Sequence, residues 1–224
     1  MPENESQRCV IDVGACVGKF TDDCLGRYPN IDQVFAFEPL PANFTFLQDK
    51  YAKDSRVEVL PQAVANFSGQ ARLFNKPNIR RFYGLPFGIR YNFAGNEGSS
   101  LKQRKSNVSK SRWVETEVVR LSDFIVEQDL KQVDILKIDC EGSEYDILLD
   151  LLDADLIGRV GQIYFEDHVR KVPGLTGDRD QFIERIQQLG VEDKFFVQDV
   201  DTHDDLQYIP LKQAYQRAFF RLSV

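Results

Sequence analysis

Cys9-Val-Ile-Asp-Val-Gly-Ala-Cys-Val-Gly18 is a short apolar strand pattern, broken only by Asp12, that runs into a loop bounded by Gly14 and Gly18. Helical spacing begins directly after it, with Phe20, Cys24 and Leu25 on one face. Glycine permits positive φ and lets a ligand approach the backbone closely, and the helix start presents free N–H groups. A strand that turns through glycines into a helix is how a doubly wound α/β sheet begins. Ligands in such sheets lie beyond the carboxyl ends of the strands. The plain alternative is a tight strand–helix turn that holds nothing.

The pattern repeats outward from this stretch. Val34–Phe37 and Val57–Ala65 read as further strands buried on both faces, and Phe44, Leu47 and Tyr51 mark a helix between them. Strand alternating with helix predicts βαβ units and a parallel sheet. The alternation then breaks, because Ala71–Phe74 and Val114–Arg120 read as strands on either side of a long excursion. Next come a helix over Leu121–Gln128 capped by Ser122, a strand over Val133–Ile138 and a helix from Ser143 to about Leu152. A strand over Gly161–Phe165, a helix over Asp180–Leu189 stopped by Gly190 and a strand over Lys194–Val200 follow. Ala218–Val224 is strand-like, and with no helix before it the last two strands make an antiparallel hairpin at a sheet edge. The predicted class is α/β: a Rossmann-like, mostly parallel doubly wound sheet with a C-terminal antiparallel hairpin. It occupies one domain over residues 1–224.

Composition narrows the class further. A chain of 224 residues buries one full-sized core. At 42% apolar and 28% charged residues it is neither disordered nor fibrous. No apolar run approaches the roughly 20 residues of a membrane span, and the polar stretch Met1–Arg8 does not read as a signal peptide. Cys9, Cys16, Cys24 and Cys140 fit neither a disulfide framework nor C-x-x-C, which predicts a reduced, cytoplasmic protein. The Asn-x-Ser/Thr triplets at Asn43, Asn66 and Asn107 are then chance matches. The net charge of −7 is unevenly spread. Nine basic residues fall between Lys76 and Arg112 with Glu97 as the lone acid, so the rest of the chain carries 19 basic against 34 acidic residues.

Glu38 adds weight to a ligand-binding reading of the first loop. It ends the second strand in Phe35-Ala-Phe-Glu-Pro39, about 20 residues past the glycines, where an acid accepts hydrogen bonds from ribose hydroxyls. The unit therefore suits an adenosine cofactor, either NAD or S-adenosylmethionine. A dinucleotide fingerprint wants G-x-G-x-x-G for the pyrophosphate. Here Cys16 stands where a middle glycine would be, and Asp12 would repel a pyrophosphate yet attract the ammonium of a methionine moiety. S-adenosylmethionine is the preferred cofactor.

With these stretches in view the chain resembles the FkbM-type methyltransferase family. The resemblance runs through Asp12-Val-Gly-Ala-Cys-Val-Gly-Lys-Phe-Thr21, Phe37-Glu-Pro-Leu-Pro-Ala-Asn43 and Gln62-Ala-Val-Ala-Asn-Phe-Ser-Gly69. It continues through Gly98-Ser-Ser-Leu101, Val119-Arg-Leu-Ser-Asp-Phe124 and Asp134-Ile-Leu-Lys-Ile-Asp-Cys-Glu-Gly-Ser-Glu144, with a weaker echo at Ile163-Tyr-Phe-Glu-Asp-His168. Cys16 departs from the family's usual Asn, and an N-terminal substrate-covering helix is expected to be absent or very short. The resemblance implies methyl transfer to an oxygen, hydroxyl or carboxylate, of a small-molecule, glycan or peptide natural product. It also implies that Asp12, Gly14 and Gly18 hold the methionine end, with Cys16 nearby. Glu38 and Pro39 would meet the ribose, Gln62 and Ala63 would flank the adenine, and Asp139 would lie beside the methyl group.

A hydroxyl acceptor must lose its proton to a base. Asp139, Glu141, Glu166 and His168 cluster at the predicted strand ends, with His168 ranked first because it titrates near neutrality, and with Asp139 and Glu166 beside it. His168 as a mere surface residue is the plain alternative. His203 sits in an acidic loop and reads as solvated, while Glu144 and Asp146 fall inside a helix and read as structural. Asp139, Glu141, Glu166 and Asp167 could offer hard ligands to a metal, but carboxylate spacing specifies a site loosely and no metal is expected. The basic, aromatic-rich segment over about 75–113 is expected to act as a lid over an anionic or aromatic acceptor, with Arg81, Arg90, Ser99 and Ser100 as its contacts. Its mixture of basic and aromatic residues would also suit single-stranded nucleic acid, but the acidic remainder argues against that partner. Two other functions compete: an NAD-dependent oxidoreductase, which would need an all-parallel sheet, and a non-enzymatic binding module on the same fold.

Overall fold

The apolar runs pair into a seven-stranded sheet in the computed structural model, which describes residues 8–74, 98–106, 108–172, 174–199 and 206–215. In chain order the elements are β1 (Cys9–Val13), α1 (Lys19–Arg27), β2 (Gln33–Phe37), α2 (Pro41–Tyr51), β3 (Val57–Leu60), β4 (Gln62–Ala65), β5 (Gly69–Phe74) and β6 (Trp113–Arg120). Then follow α3 (Leu121–Glu127), β7 (Val133–Ile138), α4 (Glu144–Asp153), β8 (Val160–Phe165), α5 (Leu175–Leu189), β9 (Phe195–Gln198) and β10 (Tyr208–Pro210). The large sheet has the order β10-β9-β8-β7-β1-β2-β3, and every pair is parallel except β10 with β9. The chain runs outward from β1 to one edge and resumes at β7 on its other side. Such a reversal opens a crevice at the carboxyl ends of those two strands.

Strand alternation divides the core into two layers. Val10, Val34 and Ile135 pack with Phe20 and Cys24 of α1 on one face. Cys9, Ile11 and Val13 turn to the other, where they join Phe124, Tyr145, Leu148 and Phe182 of α3, α4 and α5. Phe124 stands edge-on to both Phe35 and Phe37, at centroid distances of 5.1 and 5.0 Å. Burial on both faces explains why these strands read as continuous apolar runs.

Three expectations are corrected. Val57–Ala65 is two strands, because Pro61 has no N–H for the ladder. After it the chain leaves the large sheet, and β4 pairs in parallel with β6, which pairs antiparallel with β5, in a separate three-stranded sheet. Ser122 does not cap α3. It is buried just inside the helix, and the Asp150 carboxylate of α4 holds the helix start, 2.7 Å from Arg120 Nε and 3.4 Å from the Ser122 N–H. The C-terminal hairpin is present, but the partner of β9 is Tyr208–Pro210, and Ala218–Val224 lies outside the described residues. A three-residue strand ending in proline is too short to stand out in a sequence, and proline is tolerated there because β10 is an edge. Gly190 ends α5 in the left-handed conformation, as its position predicts. No helix among the described residues is long and apolar enough to cross a membrane.

Leu136 on β7 is fully buried and faces Ile11 and Ile163 across two ladders, whereas Leu189 is 57% exposed. Leu136→Ala is expected to cost about 2–5 kcal/mol, and Leu189→Ala no more than about 0.5 kcal/mol. Urea unfolding of the two variants checks the difference.

Candidate active site

At the reversal between β1 and β7 the strand ends enclose a cleft of about 630 Å³, part of it open to solvent. Gly14 and Cys16 form its floor on the β1 side, Glu38, Pro39 and Leu40 come from the β2 end, and Gln62 and Ala63 from β4. Asp139, Cys140 and Glu141 follow β7, and Ser99 and Leu101 close the far side. Phe37, Ala63, Val64 and Leu73 make much of the wall apolar.

The first loop is built by close backbone approach. Gly14 has φ +77°, and a Cβ there would stand 1.9 Å from the Asp139 carbonyl oxygen, so only glycine lets the loop lie against the end of β7. Gly14 and Ala15 donate their N–H groups to the Phe37 carbonyl at 3.0 Å, which ties the same loop to β2. Gly18 heads α1 at φ +78°, packed under Tyr51 and Leu47 and away from the cleft wall. Glu38 links the two strand ends: one carboxylate oxygen accepts the Cys16 N–H at 2.8 Å and the other the Leu40 N–H at 2.9 Å. Burial pushes its pKa up to about 7, against the pull of those N–H groups, Lys137 and Asn43. Asn43 also hydrogen-bonds the carboxylate, and the residue lines the cleft.

Asp12 does not reach the cleft wall. It is fully buried, with one oxygen 2.8 Å from the Thr21 hydroxyl and the other 3.3 Å from Lys137 Nζ. It lies beneath the first loop, between Thr21 and Lys137. Lys137 also donates to the Gly14 carbonyl at 2.8 Å and lies 3.7 Å from Asp139 Oδ2. Burial opposes its charge, but Asp12 and Asp139 outweigh burial and hold its pKa above the ordinary lysine value. Sequence reasoning missed Lys137, although a lysine inside the apolar run Val133–Ile138 is a signal, since a buried ammonium requires partners.

Behind Asp139 lies a dense charge cluster. His168 is fully buried, with Nδ1 2.9 Å from Glu144 Oε1, and Nε2 2.8 Å from Glu141 Oε2 and 3.1 Å from Glu166 Oε1. Burial alone would lower its pKa, but the carboxylates of Glu144, Glu141 and Glu166 push it up to about 12. An imidazolium held this way keeps its proton at neutral pH. Glu141 and Glu166 are held down to about 2 despite burial, by His168 together with Lys105 and Lys171 respectively. Glu166 bonds Lys171 at 2.9 Å and does not line the cleft. Asp139 does line it, with its side chain one-third exposed. Burial raises its carboxyl to about 6, where Lys137 opposes and Glu166 adds. Glu144, read from the sequence as structural, is fully buried and accepts the Gly142 N–H at 3.0 Å as well as facing His168.

The segment 98–106 folds over this cluster. Ser100 pairs with Phe74 across β5, and its hydroxyl donates to the Glu141 carbonyl at 2.6 Å, so Ser100 is buried while Ser99 lines the cleft. Lys105 Nζ is buried between the Gly98 carbonyl and Glu141. Nothing in the sequence singles out Lys105 from its basic neighbours, because only the fold brings it there. Arg81, Arg90 and His203 lie outside the described residues, as does most of the expected lid.

Cys16 sits at φ +52°, a left-handed conformation that asparagine tolerates better than cysteine. Cys16→Asn is expected to raise stability by up to about 1 kcal/mol, read as a higher melting temperature. Gly14→Ala, with its Cβ against the Asp139 carbonyl, is expected to lose roughly 3 kcal/mol or more in the same assay.

A family model described as the methyltransferase FkbM domain matches residues 12–192. Methyltransferase 1 of Beauveria bassiana is 30% identical over 160 residues, which are 67% of this chain and 62% of that protein. The 31-O-demethyl-FK506 methyltransferase FkbM of Streptomyces tacrolimicus is 29% identical over 182 residues, 75% of this chain and 68% of that one. This chain thus spans about two thirds of the length of these two relatives. A crystal structure of a methyltransferase FkbM from Methylobacillus flagellatus aligns at a TM-score of 0.40 and 17% identity, over 66% of this chain and 30% of that one. By the match to its domain across most of the sequence, this chain belongs to the FkbM methyltransferase family.

Proposed function

We propose that the protein transfers a methyl group from S-adenosylmethionine to an oxygen, hydroxyl or carboxylate, of a small-molecule, glycan or peptide natural product. The observation that carries this reading is Glu38, a buried carboxylate at the β2 end that lines an apolar cleft. This chemistry fits a ribose at Glu38 and an adenine between Leu40 and the Gln62–Ala63 pair. The donor, when bound, supplies a sulfonium methyl already activated for displacement. The chain's own residues then have to align the acceptor and exclude water. Asp139, at the open end of β7, is the carboxylate positioned to take the proton of a hydroxyl acceptor. The name of the Streptomyces relative, a 31-O-demethyl-FK506 methyltransferase, supports oxygen as the receiving atom. The antiparallel β10 speaks against the oxidoreductase reading.

Calorimetry with S-adenosylhomocysteine tests the proposal: intact protein is expected to bind it, and absence of binding would overturn the reading. Ribose hydroxyls stabilise an ionised Glu38, so binding releases its proton, and affinity is expected to rise between pH 6 and 8 around the value of about 7. Glu38→Gln is expected to bind more weakly and to lose that rise. Asp139→Asn is expected to cut kcat by about 100-fold or more while leaving the affinity for S-adenosylhomocysteine within about threefold.

A further inference from the structure

Asp139, Glu141 and His168 each offer one ligand atom, and the three atoms lie within 4.8 Å of one another. Ligands about 2.1 Å from a small cation stand roughly 3–4.2 Å apart, so the set needs an adjustment of at most about 0.6 Å. His168 Nε2 is fully buried and aimed into this group, 2.8 and 3.1 Å from two carboxylate oxygens, yet its N–H direction meets neither as a hydrogen bond. The opposite ring nitrogen faces Glu144 at 2.9 Å. A carboxylate behind a ligating imidazole is a recurrent support of metal centres, because it fixes the ring and directs the other nitrogen's lone pair outward.

Charge points the same way. Four carboxylates, those of Asp139, Glu141, Glu144 and Glu166, face the ammonium groups of Lys105 and Lys171, while Lys137 is shared with Asp12. These four carboxylates outnumber the three ammonium groups around them, and three of the four converge on the buried His168 ring.

We propose that Asp139, Glu141 and His168 bind a divalent cation, with Glu144 as the positioning residue for His168. One nitrogen and two carboxylate oxygens suit Mn²⁺, Fe²⁺ or Zn²⁺ better than Mg²⁺, which favours oxygen ligands and retained water. Asp139 and Glu141 line the cleft, so the open coordination positions face it. There the cation would hold the acceptor oxygen and lower the pKa of its hydroxyl, and the Asp139 oxygen that does not ligate would take the proton. That use rests on the methyl-transfer reading, whereas cation binding does not.

Mn²⁺ titration of chelator-treated intact protein, followed by the loss of the free-ion electron paramagnetic resonance signal, tests the proposal. The expected result is one tight Mn²⁺ per chain, weakened at least tenfold by His168→Gln and about 10–100-fold by Glu144→Gln. No uptake by wild-type protein would overturn it, as would uptake that His168→Gln leaves unchanged. S-adenosylhomocysteine binding measured on the same samples separates the two readings. If it survives without Mn²⁺ uptake, only the cation site falls, and if uptake survives without it, only the methyl-transfer reading falls.

Discussion

Lys137 projects from the middle of the sheet into the seam between β1 and β7, and the carboxyl edge of the fold is organised around its ammonium. It bonds the Gly14 carbonyl at 2.8 Å and lies within 4 Å of both Asp12 and Asp139. The glycine loop, the floor of the cleft and the carboxylate at its open end are thus fixed relative to one charge. Removing one member of such a buried pair typically costs about 3–5 kcal/mol, because the other charge is stranded. Asp12 fills this role from below, which explains an acid in an otherwise apolar strand without requiring it to touch a ligand.

Glu38 does for β2 what Lys137 does for β7. Its two oxygens anchor the N–H groups of Cys16 and Leu40, so the loop after β1 and the turn after β2 move as one piece. The far side of the cleft is held differently, by a buried knot of charged groups made by His168, Glu141, Glu144, Glu166, Lys105 and Lys171. Segment 98–106 is drawn over that knot through Lys105 and Ser100. An apolar wall thus lies between two polar ends of the cleft.

The parts of this arrangement that depend on local periodicity were legible in the sequence. Strands buried on both faces announce themselves as apolar runs, and Gly14, Gly18 and Glu38 stand at spacings that a doubly wound sheet explains. What depended on tertiary placement was not. Pro61 sends β4 into a second sheet, an outcome its lack of an N–H permits but does not specify. Asp12 reads as a ligand contact until Lys137 and Thr21 are seen to occupy it. His168 reads as a base because a free imidazole titrates near neutrality, and only the convergence of Glu141 and Glu144 at the start of α4 with Glu166 after β8 raises its pKa. Lys105, anonymous among nine basic residues, becomes a buried counter-ion through a fold-back that no local pattern encodes.

The central claim is that an adenosine methyl donor lies across the strand ends between Glu38 and Asp139. A crystal structure of the protein with S-adenosylhomocysteine examines it most directly. The account predicts ribose hydroxyls within hydrogen-bond distance of Glu38, the adenine against Gln62 and Ala63, and the sulfur nearest Asp139. A ligand bound elsewhere, or a ribose that leaves Glu38 untouched, would contradict it.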